Sequence, residues 1–232
     1  MPWGKQAIKG IIGGVTQFTS HRAVHDIDAE RQRRALASTA DFVDEHMPQA
    51  RAFRGVDALD AKYRLLDWVV DLSPREGLVL EFGVNTGDTL RRITAKRSPS
   101  HGFDSFEGLP EDWRTNYDQG HFATEPPVIP GAQMHVGWFD DTLPGFFSEH
   151  AGPIAFAHLD ADLYSSTATV FREGEDRFVA GTVLLFDEYF NYPGWQRHEH
   201  TAFLEFIERT GHGFEYVGYN ALHEQVAVRL TS

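Results

Sequence analysis

The feature that most constrains the fold is a repeating series of short apolar runs that starts at residue 78. Five runs alternate with stretches long enough to form helices: residues 78–82, 101–104, 134–136, 154–159 and 182–186. The stronger runs are continuously apolar, which is typical of parallel strands buried on both faces. Right-handed helical crossovers join such strands and cover both sides of the sheet. The pattern therefore predicts a doubly wound α/β domain over residues 76–232.

The C-terminal part breaks this alternation. Residues 214–219 and 225–230 both have strand-like composition, and only residues 220–224 separate them. This connection is too short for a helical crossover, so the two strands should pair antiparallel. The sequence thus predicts a mostly parallel sheet that ends in an antiparallel hairpin, unlike the two-halved sheet of dinucleotide-binding domains.

Residues 1–75 have a helical pattern instead. In residues 29–43, and again in residues 63–70, apolar side chains recur at spacings of three and four, and Ser73-Pro74 ends the second pattern. The pattern predicts an N-terminal helical extension that covers the main domain. A role of this extension in substrate binding or in dimerisation is the alternative.

Charge and composition narrow the classes of partner. The chain has 232 residues, with 21 Lys and Arg against 34 Asp and Glu, and its net charge of −13 disfavours nucleic acid and anionic membranes. No run approaches the ~18 apolar residues of a membrane span. Residues 1–20 lack the pattern of a signal peptide, which predicts a cytoplasmic protein. The oligomeric state stays open, and a homo-oligomer is one outcome that the sequence allows.

The turn after the first predicted strand is rich in glycine. Its sequence is Gly83-Val84-Asn85-Thr86-Gly87, with the glycines four apart, and it follows Glu81. Ligands of open α/β sheets bind at the carboxyl ends of the strands, so this turn is either part of a nucleotide-type site or only a tight turn. Glu81 favours a particular ligand there, because a carboxylate would repel a pyrophosphate and suit an ammonium or sulfonium group.

Acidic and aromatic residues follow the next two strands. Asp104 lies 21 positions after Gly83, close to the offset at which a carboxylate binds ribose hydroxyls, although it could also be a turn aspartate ahead of Ser105. Phe139 could pack against a purine while Asp140 accepts a hydrogen bond from its exocyclic amine. Together with the glycine turn, these residues indicate a cationic adenosine ligand.

Four carboxylates follow the fourth and fifth strands: Asp160, Asp162, Asp187 and Glu188. Negative charges this close together require a divalent cation or raised pKa values. The chain has no cysteine, so oxygen ligands favour Mg²⁺ or Ca²⁺, with Mn²⁺ as a further option. Helix capping by Asp160 or Asp162 is the alternative, but capping would use one carboxylate and leave three unexplained.

Two further segments carry candidate functional residues. Residues 106–130 form a long connection with several aromatic side chains, which could close over a substrate or could form a separate hydrophobic cluster. Beyond the fifth strand, His198, Glu199 and His200 begin a helix. Because successive helical positions point in different directions, at least two of them should be capping or solvated, and His198 is the candidate for a catalytic role.

Three ordered motifs resemble those of the macrocin O-methyltransferase family: Gly102-Phe103-Asp104-Ser105-Phe106-Glu107-Gly108-Leu109-Pro110, Asp160-Ala161-Asp162-Leu163-Tyr164-Ser165-Ser166-Thr167 and Phe186-Asp187-Glu188-Tyr189. The resemblance, from about residue 78 to residue 230, implies a Rossmann-like class I methyltransferase fold that binds S-adenosylmethionine (SAM). It also implies Mg²⁺, or another divalent cation, on Asp160, Asp187 and Glu188, with Asp162 as general base. The cofactor contacts expected from residues and resemblance together are Glu81, Gly83, Asn85, Thr86, Gly87, Asp104, Ser105, Phe139, Asp140 and Asp160.

These expectations describe one reaction and leave two alternatives. The cation would lower the pKa of an acceptor hydroxyl, on a sugar or other small polyol, and the oxygen would attack the SAM methyl group in line. A nicotinamide-dependent oxidoreductase could use Asp104 in the same way, but Glu81 and the missing third glycine weigh against it. A methyltransferase-like module that binds without turnover is the non-enzymatic alternative, and the four retained carboxylates weigh against that.

Overall fold

A computed structural model describes residues 26–232 of the chain. Its α-helices are α1 (Ile27–His46), α2 (Ala58–Leu72), α3 (Asp88–Lys96), α4 (Phe139–Glu149), α5 (Tyr164–Glu173) and α6 (Glu199–Thr210). Its strands are β1 (Arg51–Phe53), β2 (Leu78–Phe82), β3 (Ser100–Asp104), β4 (Ala132–Val136), β5 (Ile154–Leu159), β6 (Val183–Phe186), β7 (Gly213–Asn220) and β8 (Val226–Thr231). The predictions about residues 1–20 concern residues outside the described part of the chain, and so does the start of the predicted N-terminal extension.

The strands form one sheet in the order β1-β7-β8-β6-β5-β2-β3-β4. All neighbouring pairs are parallel except those of β8, which runs antiparallel to both β6 and β7. The five predicted runs are β2 to β6, and the predicted hairpin is β7 and β8. The prediction of a mostly parallel α/β sheet with a C-terminal antiparallel hairpin is therefore confirmed.

Strand β6 shows how the sheet is buried on both faces. Leu184 and Phe186 belong to a core cluster that also contains buried side chains of α4, α5 and α6. Val183 and Leu185 alternate with them and belong to a second cluster that contains buried side chains of α2 and α3. Because side chains of a strand point alternately to the two faces, a continuously apolar run is the one that both layers of helices can cover.

Residues 51–72 contribute to this architecture directly. Helix α2 begins after Asp57, whose side chain accepts a hydrogen bond from the Asp60 N–H, and ends at Ser73 before Pro74. Its buried stripe packs against the sheet in the second cluster. Strand β1, which the sequence analysis did not predict, pairs parallel with β7 at the edge of the sheet. The boundary near residue 75 stays a prediction.

No helix within residues 26–232 combines the length and the apolar character needed to span a bilayer.

Candidate active site

The register of the sheet places four strand ends side by side. Phe82 at the end of β2 is paired with Phe103 of β3 and with Leu159 of β5, and Leu159 is paired with Phe186 of β6. The residues that follow these strands therefore meet at one edge of the sheet. They line a cavity of about 390 Å³, a size within the range of small-molecule sites.

The glycine turn is held against this edge by Asp104. One carboxylate oxygen of Asp104 accepts hydrogen bonds from the N–H groups of Val84 and Asn85, at 2.7 and 2.8 Å, and the other accepts from Phe106 N–H at 2.7 Å. Gly83 has a φ of 88°, and a Cβ there would overlap the carbonyl oxygen of Asp160. Asp104 thus acts first as an anchor for two loops, as the turn-aspartate alternative expected, and it also lines the cavity.

The predicted cofactor residues divide into two groups. Those that line the cavity are Gly83, Asn85, Asp104, Ser105, Phe139 and Asp160. Thr86 and Asp140 are exposed and do not line it. Gly87 caps α3 in a left-handed conformation, and a Cβ there would collide with the Ile129 side chain, so the turn needs glycine for shape.

Glu81 lies beneath the cavity rather than on its wall. It is fully buried, and its carboxylate is hydrogen-bonded to His158 Nδ1 at 2.7 Å. Burial alone would lower the pKa of His158, but its hydrogen bonds to Asp187 and Glu81 raise that pKa to about 10. The positive group that Glu81 faces is therefore the His158 imidazolium, and the direct ligand contact expected for Glu81 differs from its position in the structure.

The four carboxylates of the sequence analysis do come together, and we call Asp160, Asp162, Asp187 and Glu188 the acidic cluster. Asp162, Asp187 and Glu188 are all less than a tenth exposed. Backbone hydrogen bonds from Asp160 N–H to Phe82 O and from Asp187 N–H to Leu159 O, both 2.8 Å, continue the sheet ladder into the cluster. The strand register therefore fixes the backbone positions of Asp160 and Asp187, from which their carboxylates extend.

A lysine from α2 enters the acidic cluster. The Lys62 Nζ atom lies 2.8 Å from an oxygen of Asp187 and 3.7 Å from one of Asp160. Burial would lower the pKa of Lys62, but the neighbouring carboxylates raise it, so the ammonium group stays charged. Lys62 was not predicted as a site residue from the sequence, because it lies 125 positions from Asp187 and in no motif.

Charge is distributed unevenly within the cluster. Burial acts to raise the pKa of Asp187, but Lys62 and His158 outweigh it and lower that pKa, so Asp187 is ionised. Burial raises the pKa of Asp160 to about 6. Burial and the neighbouring carboxylates raise the pKa values of Asp162 and Glu188 well above their usual range. The part of the cluster that contains Asp162 and Glu188 therefore has too little positive charge nearby to keep both carboxylates ionised.

The donor set of the cluster fits a hard divalent cation. One oxygen each of Asp160 and Asp187, with a ring nitrogen of His158, lie within 4.8 Å of one another, the one such group of three found within residues 26–232. Glu188 Oε2 is buried without a hydrogen-bond partner. Both ring nitrogens of His158 are already hydrogen-bonded, to Glu81 and to Asp187, so carboxylate oxygens are the donors left for a cation, as Mg²⁺ prefers.

Asp162 lies on the cavity wall in an unusual backbone conformation. Its φ is 60°, in the left-handed region that costs a non-glycine residue about 1 kcal/mol. The following N–H, of Leu163, bonds back to Ala161 O at 2.6 Å and closes a tight turn. This turn directs the chain into α5 while the Asp162 carboxyl remains next to the cavity.

The long connection between β3 and β4 forms the opposite wall. Trp113, Arg114, Tyr117 and Phe122 line the cavity. The same side chains also pack on one another, with the Arg114 guanidinium 3.9 Å from the Trp113 ring centroid and the Trp113 and Tyr117 rings 5.2 Å apart. The connection therefore combines both alternatives of the sequence analysis, a cavity wall and a hydrophobic cluster.

His198 occupies the N-cap of α6 and does not line the cavity. Its Nδ1 atom is buried without a hydrogen-bond partner, and burial lowers its pKa. The neighbouring Glu199 has a clearer connection to the site, because it is fully buried and its carboxylate accepts a hydrogen bond from Glu188 N–H at 3.0 Å. The sequence analysis treated Glu199 as a first-turn residue, and the catalytic role of His198 stays a prediction.

Comparisons with known proteins agree with this geometry. Residues 80–189 match the family described as "Methyltransferase domain". The 8-demethyl-8-(2,3-dimethoxy-alpha-L-rhamnosyl)-tetracenomycin-C 4'-O-methyltransferase of Streptomyces olivaceus is 29% identical over an alignment of 124 residues, and the match covers 44% of this chain and 44% of that relative's length.

Two solved structures resemble this fold over most of the chain. The O-methyltransferase NovP has a TM-score of 0.57 at 19% identity, over 74% of this chain and 80% of NovP. The calicheamicin methyltransferase CalS11 has a TM-score of 0.57 at 21% identity, over 94% of this chain and 91% of CalS11. Another structure of CalS11, with a TM-score of 0.52, describes it as a TDP-rhamnose 3'-O-methyltransferase.

The matched family segment runs from β2 through the end of β6 and contains the glycine turn and the acidic cluster. Residues 80–189 therefore match a methyltransferase domain, and the sheet with its helices has the class I methyltransferase fold. The resemblance to the macrocin-type O-methyltransferases, which the sequence motifs indicated, is confirmed by the family match together with these relatives.

Proposed function

We propose that the chain transfers a methyl group from SAM to a hydroxyl group of a sugar-containing or other small polyol acceptor, with help from a divalent cation such as Mg²⁺. The observation that carries the proposal is that the glycine turn and the acidic cluster open into one cavity. A methyl donor on one side and a hydroxyl on the other can then approach in line. The relatives named for sugar O-methylation support the acceptor class.

The donor side of the cavity comprises the turns after β2, β3 and β4. Gly83 lets the backbone approach a bound nucleoside closely, and Phe139 offers a ring that packs at 5.8 Å from Phe82 and lines the same wall. Ser105 supplies a hydroxyl beside the anchored Asp104 carboxylate. These groups suit the adenosine part of SAM, whose ribose hydroxyls and purine need hydrogen bonds and a flat apolar contact.

The acceptor side contains the acidic cluster. A cation held by Asp160, Asp187 and Glu188 would supply Lewis-acid charge that lowers the pKa of an acceptor hydroxyl. Asp162, whose carboxyl group lines the cavity beside the cluster, would take the hydroxyl proton. His158, pinned between Glu81 and Asp187, fixes the orientation of the Asp187 carboxylate. Positioning and fixed charge, rather than covalent chemistry by the protein, then account for the rate.

The test measures methyl transfer to a panel of hydroxylated acceptors by mass spectrometry, as a gain of one methylene unit. Asp187→Asn should lower the rate by about 100-fold, since it removes a carboxylate that would hold the cation that lowers the pKa of the acceptor hydroxyl. Asp88→Asn, at an exposed position, should leave the rate unchanged. A chelator should inhibit the wild-type chain, and Mg²⁺ should restore it.

Binding of the donor is checked separately by melting temperature. SAM or S-adenosylhomocysteine should raise the melting temperature, and NAD should not. Stabilisation by NAD alone would reject the methyltransferase proposal, whereas full activity of Asp187→Asn or of the chelated protein would reject the role of the cation.

A further inference from the structure

The β7–β8 turn contributes a histidine to the cavity wall. His223 lines the cavity together with Asp162 and Glu188, and it has the one imidazole among the described residues that do so. The residue is exposed, so a ligand in the cavity can reach its ring. An imidazole nitrogen either donates or accepts a hydrogen bond, and the tautomer decides which. The surroundings of the ring therefore determine what His223 offers a ligand.

The turn is held in place on both sides of its backbone. The carbonyl oxygen of His223 accepts a hydrogen bond from Asn191 Nδ2 at 3.3 Å. The carbonyl oxygen of Glu224, the next residue, accepts from Tyr189 N–H at 3.1 Å. A backbone fixed in this way loses little freedom when a ligand binds, which favours a binding role for the side chain that it carries.

Two carbonyl groups fix which end of the Gln225 amide faces His223. Gln225 is 1% exposed, and its Nε2 atom lies 3.2 Å from the carbonyl oxygen of Asp187, which can only accept. Its Oε1 atom accepts from Asn220 Nδ2 at 2.7 Å. That Asn220 nitrogen is a donor because it also lies 3.0 Å from the carbonyl oxygen of Ala58. Nε2 is therefore the donor end of the Gln225 amide.

The His223 ring accepts from this amide. Its Nδ1 atom lies 3.3 Å from Gln225 Nε2. One hydrogen of Nε2 is shared between the carbonyl oxygen and the Oδ2 atom of Asp187, both at 3.2 Å, and the other is left for Nδ1. A ring nitrogen that accepts carries the lone pair, so the hydrogen of the neutral ring is on Nε2. His223 thus offers an N–H donor to a ligand.

The same amide joins His223 to the acidic cluster. Gln225 Nε2 lies within 3.3 Å of both His223 Nδ1 and a carboxylate oxygen of Asp187. Asp187 is one of the residues that would hold the cation beside the reacting hydroxyl. A polyol with two adjacent hydroxyls can present one of them to the cation and the other to the His223 N–H. Two such contacts fix the orientation of the acceptor, which one contact alone would not.

We propose that His223 donates a hydrogen bond from Nε2 to the hydroxyl next to the one that is methylated, and that Gln225 is the positioning residue that fixes the ring for this contact. The inference rests on the proposed function and adds a specificity-determining residue to that site. Because the cation and the N–H define the direction in which the acceptor lies, together they select one of two adjacent hydroxyls for the methyl group.

Nitrogen-15 NMR of the histidine rings tests the tautomer without any turnover. The wild-type chain is saturated with S-adenosylhomocysteine and Mg²⁺, and the His223 signals are assigned by their loss in His223→Phe. Nδ1 should have a pyridine-type shift and Nε2 a pyrrole-type shift. Methyl α-L-rhamnopyranoside, a polyol with adjacent hydroxyls, should then shift the Nε2 signal. A pyrrole-type Nδ1, or an Nε2 signal that this rhamnoside leaves unchanged, would overturn the inference.

Methyl transfer to the same rhamnoside tests the contact itself. His223→Phe keeps a ring but has no N–H, so KM for the rhamnoside should rise about fivefold to tenfold, the effect of one hydrogen bond. The single methyl ether formed by the wild type should become a mixture of two regioisomers. His223→Gln, which supplies an N–H donor again, should recover much of the selectivity. Leu222→Ala lies in the same turn but not on the cavity wall, and it should behave as the wild type.

The outcomes separate a binding role from a structural one. Melting temperatures and S-adenosylhomocysteine affinity show whether each variant is folded. An unchanged KM and product distribution in His223→Phe, or a mixture of regioisomers already in the wild type, would overturn the inference. Equal effects of Leu222→Ala and His223→Phe would do the same, because they would assign the effect to the turn. Failure of the proposed function has a different signature, since the wild-type chain would then methylate no acceptor of the hydroxylated panel.

Discussion

At the scale of single residues, Lys62 decides the charge state of the acidic cluster. Its ammonium group is 18% exposed and lies against Asp187, a carboxylate that is 6% exposed. A buried ion pair is stabilising chiefly because each partner would otherwise remain as an uncompensated charge. A divalent cation on Asp160 and Asp187 would compensate the same negative charges as Lys62. The cation and the ammonium group would therefore compete for the same carboxylate oxygens.

The variant Lys62→Met tests this competition. In the presence of a chelator it should lose about 3 kcal/mol of stability, since Asp187 and Asp160 then face each other without their ammonium partner. Mg²⁺ should restore much of that loss, and calorimetry should show tighter Mg²⁺ binding than in the wild type. Lys96→Met, which removes the partner of Asp71 at the surface, should change neither quantity. Equal stability loss in both variants, or no recovery with Mg²⁺, would contradict the competition.

The residues that the sequence analysis missed share one property. The four carboxylates could be predicted because they follow strands directly, and parallel strand ends meet at one edge of a sheet. Lys62, His158 and Glu199 reach the same site from a helix, a strand interior and a helix start, far apart in sequence. Their roles depend on side-chain packing in three dimensions, which no local spacing encodes.

At the scale of elements, the β2–α3 turn tolerates little change in its backbone conformation. The turn passes so close to β5 that Gly83 has no room for a Cβ next to Asp160 O, and its φ of 88° is strained for other residues. The strand ends on either side are in register, with Phe82 paired to Leu159. A change at Gly83 should therefore move both the glycine turn and the start of the acidic cluster.

Gly83→Ala should cost about 2–4 kcal/mol in the free energy of unfolding, because backbone strain and a backbone collision act together. It should also abolish S-adenosylhomocysteine binding. Gly120→Ala is the matched control: its φ of 80° is similar, but nothing lies within 4 Å of the added Cβ. That variant should cost only about 1 kcal/mol and keep binding. Similar losses in both, measured by urea denaturation and calorimetry, would show that conformation and not close approach is what Gly83 provides.

The elements also show which parts of the fold a pattern can predict. Strands β2, β5 and β6 were predicted because their buried runs are mainly apolar, whereas β3 and β4 were predicted from shorter runs that continue the alternation with helices. Strand β1 was missed because it has three residues, Arg51, Ala52 and Phe53, of which only Phe53 is buried. An edge strand this short has no periodicity to detect, and its place beside β7 is fixed by pairing between distant parts of the chain.

At the scale of the whole molecule, stability should depend on histidines that do not line the cavity as well as on the acidic cluster. His101 in β3 is 5% exposed, and its Nδ1 atom lies 3.2 Å from Nε2 of His135 in β4. Burial, followed by repulsion from His135 and His150, lowers the pKa of His101 to about 4. Burial also lowers the pKa of His135. The folded protein therefore keeps this pair neutral under conditions in which an unfolded chain would protonate it.

The free energy of unfolding depends on pH because the folded and unfolded chains bind protons at His101 with different pKa values. Between an unfolded pKa of about 6.5 and a folded pKa of about 4, the unfolded chain binds a proton at His101 that the folded chain does not, so stability falls as the pH falls. The contribution is fully present above pH 6.5, and each unit below it costs up to about 1.4 kcal/mol. His101→Phe should flatten the loss of stability between pH 7 and pH 5 in urea denaturation, whereas His121→Phe, at an exposed position, should not. Parallel pH profiles for wild type and His101→Phe would assign the acid sensitivity to the acidic cluster instead.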